Sequence, residues 1–552
     1  MNPPTNPQRT PEGTPVNPRH RTPRLVGSLL LLATTAISCA GTAEDGGKGG
    51  SPAAAVPALG RVIPAPASVE PGGSAFRLDA GTPLRVDGSR AARDVAGYLA
   101  GVLRPSTGYR LPVTGAAGDD GIRLVLSDGE RELGAEGYRL ESSQRAVTIT
   151  ARKAAGLFHG VQTLRQLLPA AVERDSEQRG PWTVPGGTVE DTPRYAYRGA
   201  MLDVARHFFT VEEVKRYIDQ LALYKLNKLH LHLSDDQGWR LAIDSWPRLT
   251  GVGGAIEVGG GEGGFWTKAQ YRELVEYAAS RHLEVVPEID MPGHTGAALS
   301  AYAKLNCDGK ALDPYTGIEV GLTSLCVPKE VTYDFVDDVI RELAELTPGP
   351  VIHIGGDEAH VTPHDEYAAF MDRAQAVVGK YGKRVMAWHQ LAGARPVDGA
   401  IIQYWGYDKT KDAEREGVAD AARAGAKVVL SPADRSYLDM KYTEETELGL
   451  KWAGLVEVRR SYDWDPAAYL EGLPEDAVLG VEAPLWTETL GTTEELDVMA
   501  FPRLPGIAEL GWSPRATHDW DTYKHRLVAQ APRWDALGIR YHRSPQVPWP
   551  KG

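Results

Sequence analysis

Cysteine is almost missing from this chain, with 3 residues among 552, which excludes a small disulfide-stapled scaffold and any cysteine cluster for zinc. Positive charge is also short. Against 73 Asp and Glu stand only 60 Lys and Arg, a formal charge of −13, so there is no basic face to neutralise phosphates or approach anionic lipid. Nucleic acid is thereby excluded as a partner, and a neutral substrate fits better. Two catalytic signatures are lacking as well: no serine sits in GxSxG and HExxH is absent. GGGEGG at 259–264 matches a dinucleotide fingerprint only formally, because no strand precedes it. His230 and His232 share one strand face, but the sequence offers no further ligand cluster to complete a zinc site. No metal and no cofactor are expected.

Long apolar runs are missing too, with one exception. LVGSLLLLATTAIS at 25–38 follows Arg19, Arg21 and Arg24 and ends at Cys39, the pattern of an export signal and too short for a permanent bilayer span. Two readings stay open. AISC resembles a lipoprotein cleavage box, with Ala36 where Leu is usual, and would lipidate Cys39 on the outer face of the cell membrane; alternatively, cleavage follows Ala40. Both export the chain, and the anchor is the only membrane contact expected. Residues 40–60, rich in Gly, Ala and Pro, read as a flexible tether. After export only Cys307 and Cys326 remain as thiols free to pair, and an oxidising compartment favours their pairing.

The remaining chain has the composition of a soluble globular protein, 42% hydrophobic and 24% charged. From 61 to 192, strand-like runs such as GIRLVLS alternate with helical ones. Ala154, Leu157, Phe158, Val161, Leu164 and Leu168 form an apolar stripe at helical spacing. A small α+β domain is predicted there. From 193 to 545 the pattern becomes short apolar strands separated by amphipathic helices, as a parallel sheet requires. Eight strand candidates are RGAMLDV from 198, KLHLHLS from 228, EVVPEID from 284, VIHIGG from 351, RVMAWHQ from 384, AIIQYWG from 400, KVVLSPA from 427 and VLGVEAPLW from 478. The fold class expected is α/β, a (β/α)8 TIM barrel after a small α+β domain. Thr210 with Glu213, and Thr267 with Gln270, supply capping boxes for two of its helices.

Such a barrel carries its functional groups where strands end. In HIGGDEAH at 353–360 an apolar strand runs through Gly355 and Gly356 into adjacent carboxylates, Asp357 and Glu358. Neighbours on a strand point to opposite faces, so both can meet one cavity only if the strand stops there, which the glycines permit. Two close carboxylates resist joint ionisation, so one pKa should rise and one fall, separating a proton donor from a permanent anion. The competing reading is an acidic helix start. Other strand ends weigh against it: Arg206, Asp235 and Asp236, Asp290 with His294, Trp388, Trp405, and Trp486 with Glu488. Each has a structural explanation singly. Together, aromatic walls and charged hydrogen-bonding groups suit a sugar, with its apolar C–H faces and rim of hydroxyls.

RGAMLDVARHFF, HLHLSDDQGWR, EVVPEIDMPGH, HIGGDEAH and LWTE, in this order and spacing, resemble the bacterial β-N-acetylhexosaminidases of glycoside hydrolase family 20, over about 61–540. The resemblance implies an exo-acting, retaining, substrate-assisted glycosidase acting on chitooligosaccharides or glycans. It implies Glu358 as general acid and then base, Asp357 as the carboxylate holding the acetamido N–H, and Tyr437 as donor to the acetamido oxygen. By the same resemblance Trp388, Trp405 and Trp486 enclose the N-acetyl group and Trp452 lies at the pocket mouth. Arg206, Asp439 and Glu488 bind sugar hydroxyls, while Asp235 and His294, with Asp290 behind, orient the acidic centre.

Overall fold

The computed structural model describes residues 58–550. Cys39, the leader and most of the predicted tether lie outside that range. The last tether residues, Ala58–Gly60, form a 3-10 turn with Leu59 buried. Part of the stretch read as tether is thus packed, because Leu59 joins the hydrophobic core. At the other end, buried Val547 and the ring of Trp549 against Tyr541 carry the packing past 545.

Residues 61–192 form a mixed sheet of seven strands. The predicted apolar stripe lies on the helix Ala154–Leu167, where Leu157, Phe158, Val161 and Leu164 are buried. A second helix, Arg90–Thr107, is capped by Ser89 and closed by Gly108 in the left-handed conformation.

Eight parallel strands then close into a barrel in chain order: β1 Tyr197–Asp203, β2 Lys228–His232, β3 Glu284–Glu288, β4 Val351–His353, β5 Arg384–Trp388, β6 Ile401–Tyr404, β7 Lys427–Leu430 and β8 Val478–Leu485. Each grows from one of the apolar runs read in the sequence. β8 closes on β1, with Tyr197 beside Gly480. The helices Val211–Leu223 and Lys268–Ser280 start at Thr210 and Thr267 with both halves of the capping box formed.

Inside the barrel Tyr197, Val286, Val351, Met386, Ile401 and Val429 form one apolar cluster, while Met201, Trp388, Tyr437 and Trp486 belong to another. Polar side chains are buried in the barrel as well, among them His230, Glu288, His353, Gln403 and Glu482. The small domain is joined to the barrel by buried charge: Lys225, just before β2, donates to Asp191 and to the Tyr138 hydroxyl at 2.9 Å each.

Candidate active site

The chain leaves β4 through backbone that most residues avoid. Gly355 and Gly356 have φ of 62° and 98°, and Glu358 follows at φ 44°. Any side chain at Gly355 would stand about where the Asp290 carboxylate lies, 1.7 Å from its Oδ1 to the added Cβ. Asp290 uses that proximity to accept the Gly356 N–H at 2.9 Å. The strand therefore stops where the sequence predicts, and both carboxylates turn into one cavity. A glutamate and a histidine held at positive φ, Glu358 and His294, are strained positions of the kind that persist at functional sites when their surroundings fix them.

His294 stands between the two acids. Its Nε2 is 3.4 Å from Glu358 and 3.9 Å from Asp357, and its Nδ1 is hydrogen-bonded to Asp235 at 3.1 Å. Burial opposes a charge on this imidazole, yet Asp235 and Asp357 carry its pKa well above the ordinary value, so it is a cation. Burial pushes the Asp357 carboxyl up to about 6, against the pull of His294 and with the help of Glu358. Asp290 is raised well above its usual range, first by burial and then by Asp357. The rise thus falls on Asp357 and on Asp290 behind it. Depth is the cause: the Asp357 side chain is 11% exposed and that of Glu358 26%.

The cavity measures about 440 Å³ and is lined by Arg206, His294, Asp357, Glu358, Trp405, Tyr437, Asp439, Trp452, Trp486 and Glu488, with Ile318, Val320, Tyr407 and Leu450. That volume suits a monosaccharide or a little more. Arg206 is clamped by Asp235 at 2.8 Å and Asp203 at 3.4 Å, and its guanidinium lies 4.9 Å over the Trp486 ring. Trp452 is 43% exposed at the mouth, edge-on to Trp405, Tyr407 and Tyr437 at 5.7 to 5.8 Å. Burial and the charges of Asp357 and Asp439 raise the Tyr437 pKa well above its usual value, so the hydroxyl keeps its proton. One buried oxygen each of Asp357 and Asp439 has no protein partner.

Two predicted residues do not line the cavity. Trp388 is fully buried behind Trp486, 5.8 Å away, with its indole N–H donated to Glu288. Asp235 is buried under Arg206 and His294. Four lining residues, Ile318, Val320, Tyr407 and Leu450, were not foreseen. Ile318 and Val320 lie in the segment bridged by the disulfide Cys307–Cys326, and Tyr407 is two residues past Trp405. His230 and His232, for which the sequence offers no further ligand cluster, do meet one in the fold: both contact Glu288, which also meets His353. Three different strands supply that cluster, which spacing along the chain cannot reveal.

Residues 195–515 match the model for glycosyl hydrolase family 20, catalytic domain, and residues 60–192 that for glycosyl hydrolase family 20, domain 2. The chain belongs to glycosyl hydrolase family 20 and is a glycoside hydrolase. It is 45% identical over 492 residues to a beta-N-acetylhexosaminidase of Cellulomonas fimi, covering 89% of this chain and 97% of that protein. The GH20 beta-N-acetylhexosaminidase from Streptomyces coelicolor A3(2) superimposes with a TM-score of 0.88 at 71% identity, covering 89% of this chain and 99% of that one. A mutant Streptomyces plicatus beta-hexosaminidase in complex with product (GlcNAc) does so with a TM-score of 0.88 at 70% identity, over 89% and 98% of the two chains.

Proposed function

We propose that this protein is an exo-acting, retaining β-N-acetylhexosaminidase that releases terminal N-acetylglucosamine or N-acetylgalactosamine from chitooligosaccharides or glycans. The observation that carries this reading is the meeting of Asp357, Glu358 and Tyr437 in one aromatic-walled cavity of monosaccharide size. Family 20 departs from the two-carboxylate scheme because the nucleophile belongs to the substrate. The 2-acetamido oxygen attacks the anomeric carbon as the glycosidic bond breaks, and Glu358 gives its proton to the departing oxygen. Asp357 accepts the acetamido N–H and, as an anion, stabilises the positive charge that develops on the resulting oxazolinium ring, an interaction stronger in the transition state than in the ground state. Tyr437 donates to the acetamido oxygen and aims it. Water, deprotonated by Glu358, opens the ring with retention.

Arg206, Asp439 and Glu488 take the hydroxyls of the terminal sugar. Trp405 and Trp486 face the N-acetyl group with Trp388 supporting them from behind, and Trp452 carries the leaving portion at the mouth. Charged groups packed around the terminal sugar leave no room for another sugar beyond it, which makes cleavage exo-acting. Product analysis on chitooligosaccharides tests this: single N-acetylglucosamine units released from the non-reducing end are expected, and internal cleavage products would contradict it.

Export belongs to the same proposal. The arginines and apolar run before Cys39 support a secreted chain, or one anchored by lipid at Cys39 to the outer face of the membrane. Mass measurement of the mature N-terminus separates the two: a diacylglyceryl cysteine at 39 supports the anchor, and a start at Gly41 supports free secretion.

A further inference from the structure

Below the catalytic rim lies a buried polar set that the chemistry above does not use. Glu288, the last residue of β3, gathers the barrel interior. The Trp388 indole N–H donates to Oε1 at 2.9 Å, and His353 Nδ1 lies 2.8 Å from the same oxygen. His230 Nε2, at 3.0 Å, and His232 Nδ1 meet Oε2. His232 has a carboxylate on each ring nitrogen, since its Nε2 is 2.7 Å from Asp235. Between two carboxylates an imidazole satisfies both only as the doubly protonated cation. Burial pulls its pKa down, but Glu288 and Asp235 carry it up to about 10. His230 is held the same way between Glu288 and Glu482. From Asp235 the connection continues to His294 at 3.1 Å and on to Glu358 at 3.4 Å.

We propose that Glu288 is a positioning residue of this active site, which acts through His232, Asp235 and His294 to aim the carboxyl of Glu358, and through the indole N–H to fix Trp388. The inference rests on the role given to Glu358 above and extends it by four successive contacts into the barrel. A carboxylate that only held the barrel together would, when altered, weaken turnover of every substrate alike. Loss of aim at Glu358 instead falls on substrates in proportion to their need for a proton. A dinitrophenolate departs without one, whereas a sugar alkoxide does not.

The test uses the full chain with Glu288→Gln. The amide retains an oxygen for Trp388 but sets an NH2 group against the N–H donors of His230 and His232. For N-acetylglucosaminides, kcat/KM of the folded variant should fall at least about tenfold more with a sugar leaving group, as in chitobiose, than with dinitrophenolate. His232→Gln breaks the next link and should give the same selectivity. The double variant should be no more selective than either single one, as expected when both act along one path. Equal losses across the leaving groups, or no loss, in either folded variant overturn the proposal. Failure of both variants to fold assigns the network to stability and overturns it as well. Turnover of the same substrates by the unaltered protein tests the proposed activity separately.

Discussion

At the residue scale the two acids of the site are unequal neighbours. Asp357 and Glu358 are adjacent in the chain and both flank His294, but one is sunk against Asp290 while the other, 26% exposed, reaches toward the cavity. Replacing Glu358 by Gln removes proton transfer, and replacing Asp357 by Asn removes the anion that faces the cation. Each change should lower kcat by about 100-fold to 10,000-fold in a folded enzyme, which steady-state kinetics on a chromogenic N-acetylglucosaminide will measure. Near-normal rates would remove the residue concerned from the mechanism. The raised pKa of Asp357 has a pH consequence. As pH falls through about 6 the carboxyl takes up a proton, the useful anion is lost, and kcat/KM should decline by about tenfold per unit below that point. A flat kcat/KM between pH 4 and 7 would contradict this.

At the scale of elements, the end of β4 does more than deliver two acids. An alanine at Gly355 would place its Cβ 1.7 Å from Asp290 Oδ1 and would need a positive φ. We expect Gly355→Ala to displace Asp290 and with it the acid pair, with activity down by about 100-fold, while circular dichroism stays near that of the parent protein. Unchanged activity would show that the close approach is dispensable. The loop closed by Cys307 and Cys326, 19 residues apart, brings Ile318 and Val320 to the mouth. Loss of the bridge in Cys307→Ala should lower stability by about 3 kcal/mol in denaturant titration and raise KM for oligosaccharides more than for a nitrophenyl glycoside.

Elements also show what the sequence could reveal. Each barrel strand was legible because apolar runs end in turn residues and helices begin with caps, all local signals. Arg206, Asp357 and Trp486 were legible for a related reason, since they stand at those strand ends. Tyr437, Asp439 and Trp452 were reached only through family resemblance. They lie on the long excursion between β7 and β8, where no periodicity marks direction. The contact of Glu288 with His230, His232 and His353 joins three strands of the closed sheet, a long-range fact with no local trace. The pKa rise on Asp357 was also hidden, because depth of burial belongs to the folded shape.

At the scale of the whole molecule, the small domain and the barrel share buried charge. Lys225 is fully enclosed and is held by Asp191 and Tyr138 across the junction. Lys225→Met leaves Asp191 without its cation, which should cost about 3 kcal/mol and appear as a lowered thermal midpoint. A midpoint equal to that of the parent would mean the two parts do not depend on this contact.

If the substrate's amide performs the displacement, two nitrophenyl β-glycosides that differ only in carrying an acetamido or a hydroxyl group at C2 will be cleaved at rates differing by at least about a thousandfold, within the range expected for a well-placed intramolecular nucleophile. Comparable kcat/KM on the two glycosides would contradict substrate assistance and return the displacement to a side chain of the protein.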